Sequence, residues 1–595
     1  MINQSHIVLP NGEVAIINKT PGYVITESGV FDEFNQNIKY ASLCWVDASI
    51  SFLDDNDMFK IIKGINQTTG TIFELHLSNS EFIADYKSTL LSQLLRKGVE
   101  IEYGEHKKIL KYLSKQKPPK QLVAVKQMGW HLGLDKRMVY LRPDKIIGKT
   151  NPPLVLLNTE VSASHGAIYC SCSLEDEQKY VSDYCLGNPM LIFAMGIAFA
   201  SLLMRLLDIE GGGFHFYGHS SRGKTTILQI IASILGNASD PGRRSTNSYI
   251  QSWDSTNFAI ELKAKAFNDT AFLLDELHKY CDSKLASLVY SISGGKGKSR
   301  GSTNLTLRKS NEWLNMIGST GEHSVPAAIS KLDARKVTTG QQVRIQDILV
   351  EDDVFINTHG MEPKAFVEML KSNCAKYFGA SGECFIEYLV DVANDEALLL
   401  KLQRRHSVIA RSLEKDSMTI EQARVTPRFG AVLLGLELAI ELGLINIPTN
   451  EARESVERVL DNWLVNVFTL SDIDQGIANM RTFIRTQPRR FRDANNSMDA
   501  VTNIVGYRDD VRQMYFIIPE KLEEVCGKSH TREILRALSD KGFLFVNNKD
   551  KDGRYKYVSK QKVIGQPGRP GVYAIKNSIL NDDDGAPDET NIMEK

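Results

Sequence analysis

The stretch that decides the fold is FHFYGHSSRGKTTILQIIASILG, residues 214–236. It begins with β-like residues, continues through a glycine-flanked loop and ends in a helix-like apolar run. From Gly218 to Thr225 it satisfies the pattern G-x4-G-K-[ST], which binds phosphate when a strand precedes it and a helix follows. Apolar strands alternate with helices over residues 176–425, so we expect a parallel α/β core around this loop.

The chemistry of the loop predicts a nucleotide site. Glycines let successive backbone N–H groups surround phosphates, and the helix N-terminus adds the positive end of its dipole. We expect Lys224 to reach the β- and γ-phosphates and the Thr225 hydroxyl to bind Mg²⁺. The predicted cofactors are therefore ATP and Mg²⁺. The predicted nucleotide-binding residues are Gly218, His219, Ser220, Ser221, Arg222, Gly223, Lys224, Thr225 and Thr226.

An acidic pair follows about fifty residues downstream. In TAFLLDELHKY, residues 270–280, Asp275 and Glu276 end an apolar run. Asp275 is expected to hold Mg²⁺ through water, and Glu276 to orient or deprotonate the attacking water. A kinase for small metabolites needs no such glutamate, because its substrate supplies the nucleophile. The pair therefore favours an ATPase.

A polar strand end is predicted in NEWLNMIGSTGEHS, residues 311–324. We expect a strand over 313–317 that ends in Ser319 and Thr320. In multi-strand P-loop ATPases, a polar residue at this place touches the γ-phosphate or the lytic water. Either residue could fill that role, and the alternative is an ordinary polar exit from the strand.

A basic, glycine-rich segment lies between the acidic pair and this strand. Residues 291–310, SISGGKGKSRGSTNLTLRKS, carry five Lys or Arg and no acid. The composition predicts a hairpin that contacts a nucleic-acid phosphate backbone. Lys298 and Arg300 are the first candidates, with Lys296 behind them. The alternative is a solvated, charged turn.

Arginines complete hydrolysis in many motors of this kind, often from the neighbouring subunit. Arg335 and Arg344, within LDARKVTTGQQVR, are candidates for this role. Arg424 and Arg428, in EQARVTPRFG, open the next helical segment, where a second nucleotide-sensing arginine commonly lies. The sequence does not show which of them act in cis or in trans, and a surface salt bridge is the alternative for each.

Length and composition set the wider organisation. The 595 residues suit three to four domains of ~150 residues each. We predict an α+β domain over 1–175, the ATPase core over 176–425, a helical lid or linker over 426–504, a winged helix over 505–580 and an acidic disordered tail over 581–595.

Charge and hydropathy bound the partners and the compartment. Because the net charge is −1, a polyanion must be bound by local basic patches. The eight cysteines are scattered, and the N-terminus has no secretory pattern. The apolar run from Met190 to Leu207 is short for a membrane span and predicts a buried helix. We therefore expect a cytoplasmic protein without membrane partners.

The C-terminal module has a winged-helix pattern. Two short helices, near 520–525 and 531–541, precede strand-like segments. From Lys541 to Lys576 there are nine Lys or Arg and two Asp. A basic wing suits contact with duplex DNA, for which Arg554 and Lys556 are candidates. The alternative is a protein-docking or structural lid.

Together these motifs resemble a bacterial and mobile-element family catalogued as a domain of unknown function. In layout the chain is similar to the self-loading, MCM-like replicative helicases of staphylococcal cassette chromosomes. The similarity runs from about residue 20 to the winged helix. The motifs that carry it are GWHLG, YGHSSRGKTT, QSWDSTNFAIE, LLDELHK, GGKGKSR, STGE, GQQVRIQDI, THG and RFGAVLLGLELA.

The resemblance implies an α/β fold with an AAA+ P-loop ATPase core, a hexameric ring around DNA and ATP-driven unwinding. It makes Lys224, Thr225, Asp275 and Glu276 the ATPase residues and the 291–310 segment the pore hairpin. No primase signature is found at the N-terminus.

The predicted function is thus that of an ATP-dependent DNA helicase of a mobile genetic element. Its partners would be single-stranded DNA in the pore, duplex DNA at the winged helix and further copies of itself. One alternative is a DNA-stimulated loader or remodeller that does not unwind. A second is a regulator with a nucleotide switch, which Glu276 argues against because a switch needs no activated water.

Overall fold

The structure is a computed structural model. It describes residues 4–53, 58–79, 89–157, 166–220, 222–242, 247–297, 311–333, 343–351, 354–416, 418–468, 472–496, 503–526, 531–546, 557–566 and 568–580. The fold is mixed α/β, with a parallel sheet at the centre of the chain and strand-rich units before and after it.

The amino-terminal part consists mainly of strands. Its elements are β1 (Gln4–Val8), β2 (Val14–Asn18), β3 (Tyr23–Thr26), β4 (Gly29–Asp32), β5 (Lys39–Ala41), β6 (Cys44–Phe52), β7 (Met58–Ile65), β8 (Ile72–Ser78), α1 (Thr89–Arg96), α2 (His106–Lys115), β9 (Lys120–Val125), β10 (Gly129–Leu132), β11 (Met138–Leu141), β12 (Ile146–Ile147) and β13 (Leu154–Leu156). Five of the strands form one mixed sheet in the order β13-β9-β6-β7-β8. Burial alternates along β6, as expected when one face of a strand covers a core.

The central part alternates helices and parallel strands. Its elements are α3 (Leu174–Tyr180), α4 (Pro189–Leu203), β14 (Gly212–Tyr217), α5 (Lys224–Leu235), β15 (Gln251–Ser252), α6 (Asn257–Ala266), β16 (Thr270–Asp275), α7 (Leu285–Gly294), β17 (Asn315–Gly321), α8 (Val325–Asp333), β18 (Ile345–Leu349), α9 (Pro363–Cys374), α10 (Ala380–Ala393), α11 (Glu396–Ser412), α12 (Ile420–Ala423), α13 (Thr426–Glu441) and α14 (Thr449–Phe468). The strand order is β15-β16-β17-β14-β18, and all four pairings are parallel. The carboxyl ends of β14, β16 and β17 therefore meet at one edge of the sheet, where α/β folds bind ligands.

Helix α4 lies at the centre of this unit. Every residue from Met190 to Leu203 is buried, which confirms the buried helix predicted for this apolar run. It packs against α5, α13 and α14 in a core that extends from Met128 to Leu464. Among the described residues, no helix combines the length and the apolar composition that a membrane crossing requires.

The carboxyl-terminal part forms a smaller unit. Its elements are α15 (Asp472–Thr486), β19 (Phe491–Asp493), β20 (Gly506–Asp509), β21 (Met514–Ile517), α16 (Leu522–Cys526), α17 (Thr531–Asp540), β22 (Ser559–Lys560) and β23 (Gly571–Lys576). Short 3-10 turns lie at Ser182–Cys185, Leu277–Lys279, Pro488–Arg490, Pro519–Lys521 and Asn577–Leu580. The core of this unit includes Ile477, Met480 and Ile484, so α15 packs with it. The acidic tail, 581–595, lies outside the described residues.

Candidate active site

The glycine-flanked loop that the sequence predicts to bind phosphate lies between β14 and α5. Gly218 and Gly223 have φ angles of 149° and 90°, which side chains rarely adopt. A Cβ atom at Gly218 would lie 2.3 Å from the Val350 carbonyl oxygen, and one at Gly223 would lie 2.6 Å from a ring carbon of Phe355. Both glycines are therefore required by conformation and by space.

Lys224 is the first residue of α5, and its ammonium group curls back over the loop. The Nζ atom donates to the carbonyl oxygens of Gly218, at 2.9 Å, and His219. Partial burial lowers the pKa of Lys224, and the carboxylates of Glu322 and Asp275 oppose that shift. Two carboxylates thus lie close enough to act electrostatically on the loop lysine.

The other predicted loop residues differ in exposure. His219 and Ser220 are exposed, Arg222 is half-buried, and Ser221 lies outside the described residues. Thr225 is half-buried, whereas Thr226 points into the core.

Asp275, at the end of β16, is brought to the loop. Its Oδ1 atom lies 3.5 Å from the Thr225 hydroxyl and accepts a short hydrogen bond from the Thr320 hydroxyl. Burial raises the pKa of Asp275, and the Thr320 hydrogen bond opposes that rise. The Thr320 hydroxyl also accepts the Glu276 backbone N–H at 3.0 Å. One threonine therefore fixes the side chain of the first acid and the backbone of the second.

Glu276 has a strained backbone and an outward side chain. Its φ angle is 65°, in the left-handed region that non-glycine residues seldom occupy and that is common at functional sites. Its carboxylate pairs with Lys279, and both side chains are about two-fifths exposed. The two acids of the pair thus diverge, with Asp275 buried beside Thr225 and Glu276 facing solvent.

Ser319 does not join the group formed by Thr225, Asp275 and Thr320. Strand β17 begins two residues later than predicted and continues to Gly321, so Ser319 and Thr320 lie inside it and face opposite sides of the sheet. The Ser319 hydroxyl lies 2.9 Å from both His215 Nδ1 and Trp253 Nε1. His215 Nε2 binds the His323 carbonyl, and burial lowers the pKa of His215 to about 4, so its ring is neutral near pH 7.

This buried layer of Ser319, His215 and Trp253 is not apparent from the sequence. The only local signals are a histidine inside the apolar strand that leads to the loop and a tryptophan in the QSWDST stretch. Neither indicates a contact with Ser319.

Arg428 lies at the opposite edge of the sheet. Its guanidinium donates to Gln346 Oε1 at 2.7 Å and to the carbonyl oxygens of Gly211 and Val343. Gly211 precedes β14, and the six residues of that strand separate it from the loop by about 20 Å. Burial lowers the pKa of Arg428 to about 10. The structure therefore does not bring Arg428 to the glycine-flanked loop of its own chain.

The remaining arginines also lie away from the loop of their own chain. Arg344 directly precedes β18 at that same amino edge, and its guanidinium packs over the Tyr290 ring at 4.6 Å. Arg424 is largely exposed, with Glu210 at 4.0 Å. Arg335 lies outside the described residues.

The base of the basic segment is ordered by backbone pairing. Lys296 and Glu312 form an antiparallel bridge, and the Gly297 N–H donates to the Asn311 carbonyl at 2.8 Å. The Lys296 side chain is 71% exposed and lies 3.6 Å from Glu312. Lys298 and Arg300 lie outside the described residues, as do Arg554 and Lys556 of the C-terminal unit.

Helix α6 connects the base of the basic segment to the strand end that carries Asp275. The Ser291 hydroxyl donates to Glu261 Oε1 at 2.9 Å, and Lys265 Nζ donates to Asn311 Oδ1 at 3.0 Å. Just ahead of α6, the Trp253 N–H donates to the Asp275 carbonyl at 3.2 Å. One helix and its leading residues thus contact both the acidic strand end and the base of the basic segment.

Comparison with known proteins supports a helicase-like fold. Residues 25–312, just under half of the chain, match the family described as "Domain of unknown function (DUF927)". The chain is also similar to a solved structure described as "SCCmec type IV Cch - active helicase". The TM-score is 0.66 at 17% identity, over 94% of this chain and 99% of that one. A comparison with curated proteins finds no significant match.

These findings confirm the resemblance that the motifs indicated. The chain is similar in structure to a Cch helicase, and its residues 25–312 match the model of a family of unknown function. At this level of identity the structural similarity establishes the fold.

Proposed function

We propose that this protein is an ATP-dependent DNA helicase of a mobile genetic element, acting in the cytoplasm. The observation that carries the ATPase part is the placement of Asp275. Its carboxylate lies between the Thr225 hydroxyl at the start of α5 and the Thr320 hydroxyl on the neighbouring strand. A strand end that combines a phosphate loop, a buried carboxylate and a polar partner is suited to nucleotide hydrolysis.

The residues at this edge fit ATP with Mg²⁺. Thr225 and Asp275 offer the hard oxygen donors that Mg²⁺ prefers, and the glycine loop leaves backbone N–H groups for phosphates. When bound, the metal would neutralise charge on the phosphates. Lys224 would exchange the carbonyls of Gly218 and His219 for phosphate oxygens.

Glu276 is the proposed base. Its carboxylate would take a proton from the attacking water, which requires it to turn from Lys279 toward the loop. Thr320 would hold the Glu276 backbone during that rotation, because it accepts the N–H of that residue. Ser319 would act at a distance, through its contacts with His215 and Trp253, and not as a ligand.

The proposed architecture is an AAA+ core with flanking domains. The strand order, with the loop strand β14 between β17 and β18, supports this core. Helices α13 and α14, which pack on α4, would form the lid. The α+β unit before the core and the winged helix after it complete the assignment.

The proposed assembly is a hexamer with nucleotide sites between subunits. Arg344 lies far from the loop of its own chain, as a residue acting in trans must. We assign the trans role to Arg344 or Arg335 and give Arg428 no catalytic part.

DNA would be moved by the basic segment, with Lys296, Lys298 and Arg300 on the phosphate backbone. The contacts of α6 support this coupling, because they join the base of the segment to the strand that carries Asp275. Arg554 and Lys556 are proposed to bind duplex DNA.

The deciding experiment is ATP turnover and strand displacement by the purified protein on single-stranded, forked and duplex DNA, with its mass measured in ATP. We expect DNA-stimulated turnover and unwinding of the fork. Lys224→Ala should abolish both activities, and Lys298→Ala should spare basal turnover but impair unwinding. Turnover without strand displacement would instead indicate a loader or remodeller, and negligible turnover with every DNA would refute the motor.

A further inference from the structure

The amino-terminal unit carries a concentrated positive surface that the proposed motor does not use. Between His106 and Lys126 the chain has seven lysines and no Asp or Glu, although the whole protein has a net charge of −1. All seven are exposed. These lysines are Lys107, Lys108, Lys111, Lys115, Lys117, Lys120 and Lys126.

Three of them form a row on α2. Lys107, Lys111 and Lys115 are four residues apart, so they lie on one face of the helix and span about 12 Å. Lys117 follows just beyond the C-cap residue Gln116. We call Lys107, Lys111, Lys115 and Lys117 the α2 basic surface.

No acidic partner of these four lysines is found among the described residues. Lys120 lies 3.4 Å from Asp47 and Lys108 packs over Tyr40, but within the described part of the chain no carboxylate pairs with any lysine of the α2 basic surface. Glu102 and Glu105 precede the helix, so the charge is strongest toward its carboxyl end.

The carboxyl end of α2 gains further positive charge from β7. Lys60 Nζ donates to the carbonyl oxygens of Leu113 and Ser114, at 3.2 and 3.0 Å. Its ammonium therefore covers the negative end of the helix dipole. An anion that approaches Lys111 and Lys115 therefore meets several positive charges.

A membrane surface is the weaker partner for this helix. Amphipathic helices bind membranes by inserting their apolar face. In α2 the apolar residues Ile109, Tyr112 and Leu113 are fully buried in the amino-terminal core. The remaining apolar residue of α2, Leu110, is half-buried against the same core, so the accessible surface of the helix is mainly charged and a polyanion is the matching ligand.

We propose that the α2 basic surface binds the phosphate backbone of DNA and anchors the amino-terminal unit on it, at a site separate from the basic segment 291–310. Three lysines spread over about 12 Å can contact several successive phosphates along one strand, whose rise is about 3.4 Å per nucleotide. The contact is to the backbone, so it carries no sequence preference. It does not depend on ATP turnover.

The test compares two full-length variants with equal charge change. In the first, Lys111, Lys115 and Lys117 are changed to Gln. In the control, Lys364, Lys371 and Lys401, which lie on helices of the central unit, are changed to Gln. Affinity for a labelled 30-nucleotide single strand and for the matching duplex is measured without ATP between about 50 and 200 mM salt, the range over which phosphate contacts dominate.

Loss of three phosphate contacts should make the negative slope of log K against log salt shallower, by about 2 for the single strand and about 2.7 for the duplex. Affinity at 0.1 M salt should fall at least about tenfold. The control and the ATP turnover without DNA should remain as in the wild type.

Unchanged affinity and slope in the first variant would overturn the proposal. So would a variant that loses binding to phosphatidylserine vesicles but keeps DNA binding, because the surface would then serve a membrane. If the wild type fails to unwind forked DNA, the proposed motor fails, but the affinity comparison still reports on the α2 basic surface.

Discussion

Thr320→Val tests how Asp275 and Glu276 are held at the end of β16. Valine keeps the shape of threonine but removes the hydroxyl that donates to Asp275 and accepts the Glu276 N–H. Removing one partner leaves a buried hydrogen-bonding group unsatisfied, which costs about 1–3 kcal/mol, so we expect the unfolding free energy to fall by about that amount.

Activity should change in a way that simple destabilisation would not produce. The Thr320 hydrogen bond lowers the pKa of Asp275, so its loss should raise that pKa further. More of the carboxylate is then protonated at a given pH, and the acid limb of the turnover profile should move to higher pH. Misplacement of the Glu276 backbone should lower kcat about ten- to a hundredfold.

The assay is phosphate release against pH at saturating ATP, with two control variants. Thr320→Ser keeps the hydroxyl and should keep the acid limb. Ser319→Ala removes a hydroxyl that contacts His215 and Trp253 and leaves Asp275 untouched, so its acid limb should also stay. If the valine variant matches the serine variant in kcat and in pH profile, Thr320 does not control the acidic pair.

Two further predictions concern the helices that support the site. Burial raises the pKa of Glu177 from its usual 4.5 to about 7, so the folded state favours the protonated acid. The free energy of unfolding is therefore larger by about 3 kcal/mol below about pH 4.5, and this contribution is lost as the pH rises through about 7. Urea unfolding of Glu177→Gln should lack this loss relative to the wild type, and parallel pH profiles would contradict it. Glu261→Ala removes one acceptor of the Ser291 hydroxyl, which also donates to the Lys296 carbonyl, and should reduce DNA-stimulated turnover several-fold while basal turnover persists. Undiminished stimulation would show that α6 does not couple the basic segment to the site.

Local motifs predicted where the glycine-flanked loop and Asp275 lie in the fold. The pattern of a phosphate-binding loop requires glycines where the backbone must curl, a lysine at the helix start and a carboxylate at the end of a buried strand. These requirements act over a few residues, so they leave a pattern in the sequence. Helix α4 was predictable for the same reason, because fifteen residues with hardly a polar side chain can only be buried.

The choice between Ser319 and Thr320 depended on strand register. Adjacent residues of a strand point to opposite faces, so one of the two had to face away from Asp275. Which one does so is set by the pairing of β17 with β14, where Ser319 lies opposite His215 and Thr320 opposite Phe216. That pairing joins residues about a hundred positions apart, and no local pattern records it.

Arg428 shows the same limit in electrostatic terms. A guanidinium donates hydrogen bonds to several oxygen acceptors in its plane, and either a nucleotide phosphate or a set of carbonyls can provide them. Here Gln346, Gly211 and Val343 provide them, at separations of 82 to 217 residues along the chain. Because a buried charge without partners is very costly, this arrangement holds Arg428 at the amino edge of the sheet. Its role is therefore to join α13 to the starts of β14 and β18, whereas the hydroxyls of Thr225 and Thr320 contact Asp275.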